Sequence, residues 1–167
     1  AWGWDLQVYW NPVENLAFSL NSQYIDQTYK DFVTSGGTDL SGQATGLPEW
    51  STTVGGSYTW VFGDNSSLEF SLLYAYMSAV TCNDDSQTQG TCQVSTSFDV
   101  GTATNRTDAR LQWTSAEGRW GLGIYGKNLS DNQYVNGVNN ITAPLLGTPF
   151  ASISEPRQYG IEGRLDF

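Results

Sequence analysis

Apolar and polar residues alternate along most of this chain. Between residues 67 and 77, for example, every second position holds a bulky apolar or aromatic side chain, namely Leu68, Phe70, Leu72, Tyr74 and Tyr76. Successive side chains of a β-strand point to opposite faces, so this period of two predicts strands with one apolar and one polar face. We predict seven strands, over residues 3–10, 15–29, 48–62, 67–80, 105–115 and 119–129, and a last one that closes the chain.

The connections between the predicted strands alternate in length. Short turns, "NPVEN", "GDNSS" and "SAEGR", follow the first, third and fifth strands, whereas long polar segments over 30–47, 81–104 and 130–155 follow the others. Long antiparallel strands with short turns at one end and long loops at the other are typical of outer-membrane barrels. A soluble sandwich usually has shorter strands. The predicted fold class is therefore all-β, an antiparallel transmembrane β-barrel.

Charge and hydropathy exclude several other classes. The chain carries a net charge of −10 and scattered Lys and Arg residues, so it lacks the basic stripe that nucleic-acid binding needs. No stretch approaches the roughly 20 apolar residues of a transmembrane helix. The mean hydropathy is −0.36, a value compatible with membrane strands because their two faces average out.

Aromatic residues gather near the predicted short turns. They are Trp10, Tyr58, Trp60, Phe62, Phe70, Trp113, Trp120 and Phe167. Aromatic rings concentrate at the headgroup level of membranes, where an apolar body and a polar tip are both satisfied. We therefore expect the apolar face to meet lipid, with the even-numbered residues of strands two to four pointing outward. The other face, rich in Ser, Thr, Asn, Gln, Gly and charges, is expected to line water.

The sequence offers no catalytic set. Without histidine it can form neither a Ser–His–Asp triad nor a Cys–His pair. Asp84 and Asp85 are neighbours in a polar loop, and a solvated loop explains them better than a glycosidase pair, which needs a defined gap across a sugar. We expect a protein that is not an enzyme and holds no cofactor or metal, although carboxylates in that loop are the ligand type of a weak calcium site.

The two cysteines, Cys82 and Cys92, lie in the polar segment "TCNDDSQTQGTC". Two cysteines at this spacing fit a small loop closed by a disulfide in an oxidising compartment. Two free thiols are the alternative, and a zinc site is disfavoured because two thiols without histidine are too few ligands.

The segment "YGKNLSDNQY", followed about twenty residues later by "EPRQYGIEGRLDF", resembles the C-terminal end of TonB-dependent outer-membrane receptors. The matching residues are Asn128, Leu129, Asp131, Tyr134, Pro156, Arg157, Tyr159, Gly160, Arg164 and Phe167. The stretch "LPEWSTTVGGSYTW" is similar to a strand entry of that family, in which Pro precedes an aromatic and a Thr-rich strand. Ser130 departs from the family, where Phe or Thr is more usual.

The resemblance implies a 22-stranded barrel with a plugged lumen. Seven strands are too few for such a barrel, and bare strand edges cannot lie in lipid. Residues 1–167 are therefore expected to be the C-terminal portion of the barrel, without its plug domain, its N-terminal strands and the segment that meets TonB.

The resemblance also implies a function. It is TonB-dependent uptake of a scarce or large nutrient, such as a ferric siderophore, cobalamin or an oligosaccharide, across the outer membrane of a Gram-negative bacterium. The implied partners are outer-membrane lipid, the rest of the barrel and its plug, the TonB complex, the barrel-assembly machinery and the small-molecule nutrient.

Two sets of site residues follow from this interpretation. Ligand-facing positions are expected in the long loops and upper lumen, although no motif singles them out, and the candidates are Tyr29, Phe32, Phe98, Tyr134, Asn136, Asn140 and Phe150. The alternating terminal set Tyr159, Ile161, Leu165 and Phe167 resembles the pattern on which outer-membrane barrels end and which their assembly machinery reads. Phe167 is expected to serve both as this signal and as an interfacial aromatic.

Two other interpretations stay open. One is a different outer-membrane barrel, such as a small adhesin or an autotransporter domain, which an upstream plug domain would exclude. The other is a secreted, Trp-rich, carbohydrate-binding β-sandwich, which would be soluble without detergent, whereas an exposed apolar belt would aggregate in water.

Overall fold

A computed structural model of the chain describes residues 1–85, 99–139 and 150–166. Within these residues seven strands form one sheet: β1 (Trp2–Val13), β2 (Leu16–Asp26), β3 (Trp50–Val61), β4 (Ser67–Met77), β5 (Thr104–Thr114), β6 (Trp120–Lys127) and β9 (Gln158–Leu165). Two shorter strands, β7 (Val135–Asn139) and β8 (Phe150–Ile153), pair with each other in a separate two-stranded sheet.

The large sheet is an open antiparallel meander. Its strand order is β1-β2-β3-β4-β5-β6-β9, and each strand pairs antiparallel with its neighbours. Because β1 and β9 lie at opposite edges, the described residues do not close into a barrel. The expected all-β, seven-stranded, antiparallel and open sheet is confirmed. Among these residues, no helix has the length and apolar character needed to cross a membrane.

The register separates the two faces that the alternation predicted. Leu72 of β4 lies opposite Gly56 and Ala109, whereas the adjacent Ser71 lies opposite Ser57 and Arg110. The even-numbered residues of β2, β3 and β4 therefore share one face, which we call the apolar face. The odd-numbered residues share the polar face, where β5 contributes its own even-numbered residues.

The apolar face is uncovered within the described residues. Trp10 is 58% exposed, Leu122 58% and Ile161 82%. The described hydrophobic residues that are buried, Leu40 and Val100, lie in connections rather than in the large sheet. Within the described residues, neither face of the large sheet is therefore covered by a packed apolar core.

Aromatic rings form clusters at both ends of the apolar face. Near the short turns, Trp10 stacks on Phe18 at 5.7 Å between ring centroids. At the end of the long connections, Trp50 lies 5.4 Å from Trp4 and 4.8 Å from Tyr24. Aromatic residues were predicted near the short turns only, so the cluster at the end of the long connections was not expected from the sequence.

Each of the three short turns contains one residue with a positive φ. Asn15 has a φ of 70°, Asn65 of 65° and Gly118 of 71°. These residue types tolerate the left-handed conformation that a tight reversal requires. The turn over 62–66 is further held by Ser66, whose hydroxyl donates to Asp64 Oδ1 at 2.6 Å. The Ser66 backbone N–H donates to the same oxygen at 3.0 Å. The two hydrogen bonds lower the pKa of the Asp64 carboxyl, because they stabilise its ionised form.

Four predicted boundaries are wrong. The first strand continues to Val13 through an irregularity after Trp10, so "NPVEN" is partly strand rather than turn. The second strand ends at Asp26 rather than at 29, because Thr28 pairs instead with Ala44 in its own connection. The fourth strand ends at Met77 rather than at 80, and Val80 pairs instead with Pro48 in an isolated bridge. The segment over 130–155, predicted as loop, contains β7 and β8.

Candidate ligand site at the long-loop end of the sheet

Asn128 organises the connection that follows β6. It is 4% exposed and has a φ of 51°, a conformation that Asn adopts more readily than most residues. Its amide Nδ2 donates to the carbonyl oxygens of Asn132 and Glu155, each at 3.0 Å. Its backbone N–H donates to Asp108 Oδ1 at 2.8 Å, which fixes the connection to β5. One side chain thereby joins both ends of the segment that carries β7 and β8.

A second link joins the same two segments. The backbone N–H of Arg157 donates to Asp131 Oδ1 at 3.1 Å, and its guanidinium lies 3.4 Å from Asp131 Oδ2. The guanidinium also donates to the carbonyl of Leu129 at 3.4 Å. The two sequence segments that carry the family resemblance, separated by about twenty residues, therefore meet in space at Asn128, Asp131 and Arg157.

A polar cavity of about 200 Å³ lies beside this junction. Its lining combines amides, a hydroxyl, both signs of charge and one aromatic ring: Asn105, Arg106, Asn128, Asn132, Tyr134, Asn136, Ser154 and Glu155. These residues come from β5, from β7 and from the segments that flank β7 and β8. We call this the loop cavity.

The framework of the loop cavity is held by hydrogen bonds. The backbone N–H of Tyr134 donates to the Ser154 hydroxyl at 3.0 Å, and the Ser154 N–H donates to the Tyr134 carbonyl at 2.8 Å. Asn132 donates through its side chain to Asn105. A bridge between Val100 and Val135 places the connection after β4 against β7. The lining is therefore fixed by contacts among three separate parts of the chain.

Several charges on the polar face form ion pairs within the described residues. Arg106 Nε contacts both carboxylate oxygens of Asp108, at 2.8 and 3.0 Å. Arg110 of β5 forms an ion pair with Glu162 of β9, two strands away. These side chains are about 25% to 50% exposed, so the polar face carries compensated charges that remain in contact with water.

The connection between β2 and β3 forms a second ordered region. Tyr29 stacks on Phe32 at 4.9 Å with nearly parallel rings, and Leu40 of the same connection is 1% exposed. Hydrogen bonds from Ser41 lower the pKa of the Asp39 carboxyl, since they favour its ionised form. This region contacts the next long connection, where Gln43 Nε2 donates to Asp84 Oδ2 at 2.9 Å.

The structure groups the predicted ligand-facing residues in two places. Tyr134 and Asn136 line the loop cavity together, whereas Tyr29 and Phe32 pair in the connection after β2. Phe150 is 55% exposed on β8. Phe98 and Asn140 lie outside the described residues. Five other lining residues were not predicted, because their polar side chains follow no recognisable spacing and only tertiary contacts bring them together: Asn105, Arg106, Asn132, Ser154 and Glu155.

The remaining predicted sites are only partly described. Cys92 lies outside the described residues, so its pairing with Cys82 stays a prediction. Tyr159, Ile161 and Leu165 share the apolar face of edge strand β9, while Phe167 lies outside the described residues, and the assembly signal also stays a prediction. Within 1–85, 99–139 and 150–166, no group of three or more His, Cys, Asp or Glu side chains is placed to hold a metal ion.

Comparison with known proteins gives no match for this chain, whether with protein-family models, with curated proteins or with solved structures. The function of this chain must therefore be inferred from its sequence patterns and from the geometry of the two faces and the loop cavity.

Proposed function

We propose that this chain forms part of the wall of a TonB-dependent outer-membrane receptor that imports a scarce or large nutrient. The observation that carries the proposal is the apolar face of the sheet, most of whose large side chains the described residues leave exposed, while the opposite face holds polar residues and ion pairs. An exposed apolar face that extends over seven strands is stable only in contact with lipid or with another apolar surface. Lipid on one side and a water-filled lumen on the other satisfy both faces of every strand.

The strand lengths match a bilayer. Strands β1 to β5 have 11 or 12 residues. At about 3.3 Å per residue, the ten steps from the first to the last residue of an 11-residue strand cover roughly 33 Å. Tilted by about 40°, the strand spans roughly 25 Å, the height of the apolar band of outer-membrane barrels.

The two aromatic clusters support the same orientation. The cluster of Trp4, Tyr24 and Trp50 and the pair of Trp10 and Phe18 lie at opposite ends of the strands. Outer-membrane barrels carry aromatic girdles at both interfaces. In this orientation the short turns face the periplasm and the long connections face the outside, as in outer-membrane barrels generally.

The open edges favour a larger barrel. Strands β1 and β9 each present one row of backbone groups that no described strand pairs. Unpaired backbone groups cost several kcal/mol each in hydrocarbon. We infer that further strands of the receptor pair with these edges, and that the receptor's plug and its TonB-contacting segment accompany them. The meeting of Asn128, Asp131 and Arg157 adds support, because it gives the family-like segments a shared structural role.

Membrane fractionation of the protein with its native flanking sequence tests the proposal. We expect it in the outer-membrane fraction, with detergent needed for extraction and with slower gel migration after boiling. A pull-down with the purified C-terminal domain of TonB then separates the receptor from an adhesin or autotransporter barrel, which would not bind. A protein that stays soluble and monomeric without detergent would refute the membrane assignment and favour the secreted sandwich.

A further inference from the structure

The long connections carry a strongly acidic set of side chains. Segments 27–49, 78–103 and 128–157 contain two basic residues, Lys30 and Arg157, and eight acidic ones. Arg157 is already paired with Asp131. The summed field of such a surface repels anions and lowers their local concentration. The class of ligand that this end of the sheet admits is therefore neutral or cationic.

The loop cavity itself does not favour a compact cation. Its lining includes one basic residue, Arg106, and one acidic residue, Glu155. The Nε of Arg106 is bound to Asp108, which leaves its terminal Nη donors for another partner. A cation in the cavity would meet these donors, whereas a neutral polar ligand can accept hydrogen bonds from them.

Several polar groups of the cavity are uncommitted within the described part of the chain. No hydrogen bond there uses the Asn136 side chain, the Tyr134 hydroxyl or the Glu155 carboxylate, although the charge of Arg106 acts on the Glu155 carboxylate across the cavity. These groups combine donors and acceptors beside one aromatic ring, that of Tyr134. The backbone N–H and carbonyl of Tyr134 are both hydrogen-bonded to Ser154. Such a mixture suits a ligand that presents several hydroxyl groups, each both donor and acceptor.

The size of the cavity restricts the ligand further. Drug-sized ligands occupy sites of about 300–1,000 Å³, whereas this cavity has about 200 Å³. At about 30 Å³ per water, that volume equals roughly six or seven waters. One polar ring fits, but a whole metal chelate or corrinoid does not.

We propose that the loop cavity binds a single sugar ring of a neutral oligosaccharide, with Tyr134 and Asn136 as its principal contacts. The proposal rests on the proposed function, since it names the class of nutrient that the receptor would capture. The Tyr134 ring lies beside the sugar, the Asn136 amide both donates and accepts, and the Arg106 Nη groups donate to ring or hydroxyl oxygens.

The test uses the receptor with its native flanking sequence, purified in detergent and applied to an array of neutral glucans, xylans, mannans and galactans. We expect at least one of these glycans to bind, and titration calorimetry on the bound glycan to give a dissociation constant. Asn136→Ala should weaken that binding by about fivefold or more, the loss of one hydrogen bond. Tyr134→Phe, which keeps the ring, should weaken it by a similar factor.

Matched variants control for general damage. Tyr74→Phe and Asn21→Ala alter the same residue types away from the cavity, on β4 and β2, and should leave glycan binding unchanged. A blank array, or glycan binding that both cavity variants leave unchanged, would overturn the proposal. So would binding of ferric citrate, an anionic probe, that depends on Asn136.

The failures of the two proposals are distinguishable. A protein in the outer-membrane fraction that binds TonB but no neutral glycan would refute the sugar site and leave the receptor assignment intact. A protein that is soluble without detergent, yet binds a glycan in a way that depends on Asn136, would refute the receptor assignment alone.

Discussion

Leu72 and Leu73 offer a matched pair of positions for testing which face of the sheet meets lipid. They are adjacent in β4, each is 43% exposed, and they point to opposite faces. Replacing Leu72 with Arg places a charge at the middle of the apolar face, where outer-membrane barrels lose roughly 2–4 kcal/mol of stability. Leu73→Arg places it opposite Asp108 on the polar face, so we expect a change within about 0.5 kcal/mol.

The expected difference is large enough to measure. A gap of about 2–4 kcal/mol corresponds to roughly thirtyfold to nearly a thousandfold in the folding equilibrium constant. Denaturant titration of the receptor in phospholipid vesicles, followed by tryptophan fluorescence, would report it. Leu68→Arg, near the short-turn end of β4, serves as a depth control and should cost about 1 kcal/mol or less.

Equal destabilisation by Leu72→Arg and Leu73→Arg would refute the assignment of faces. If Leu68→Arg cost as much as Leu72→Arg, the apolar face would be packed against protein rather than lipid, because a protein core has no graded interface along the strand.

Three further predictions concern local features. Asn128→Ala should lower the free energy of unfolding by roughly 2–4 kcal/mol, because it removes two hydrogen bonds to backbone carbonyls and puts Ala at positive φ. Asn128→Gly should recover part of this loss, since Gly adopts positive φ without strain. Amide hydrogen exchange in 128–132 would measure the effect of each variant. Gly160→Val should cost roughly 1–3 kcal/mol in vesicle unfolding, since a side chain there collides with the ring of Tyr125. The pKa of Asp64 is lowered in the folded protein, so its stabilisation of the short turn is complete above the unfolded value of 3.8 and is lost as the pH falls through the folded value. Pepsin cleavage within 62–66 should therefore rise below about pH 4. Ser66→Ala should weaken this pH dependence, because it removes one of the hydrogen bonds that lower the pKa.

The sequence predicts the large sheet well because period two extends over many residues. β3 and β5 each lie within two residues of their predicted bounds, since 11 or 12 alternating positions leave little freedom of assignment. Turn positions are also readable, because Asn65 and Gly118 supply the conformation that a tight reversal needs.

The short strands could not be predicted in the same way. β7 and β8 have five and four residues, too few for a periodic signal, and their pairing joins positions about 15 residues apart. β2 shows the opposite error, since its alternating pattern continues past Asp26 into a connection whose backbone pairs within itself.

The candidate site was predictable only in part. Tyr134 and Asn136 were selected because they lie in a long connection, and they do line a cavity. The contribution of Asn105 from β5 depends on tertiary contact alone, because its neighbours in sequence are ordinary strand residues. The contact between Asp131 and Arg157 was likewise invisible to periodicity, although the family resemblance named both residues.

Site-directed spin labelling of β4 tests the central claim most directly. Nitroxide labels would be placed singly at positions 68–76 of the receptor in vesicles, with Cys82 and Cys92 replaced by Ser. We predict that even positions are accessible to oxygen, which concentrates in lipid, and odd positions to a water-soluble nickel chelate, with a period of two. Nickel access at even and odd positions alike, or oxygen access that peaks at the odd positions, would contradict a sheet with lipid on its apolar face.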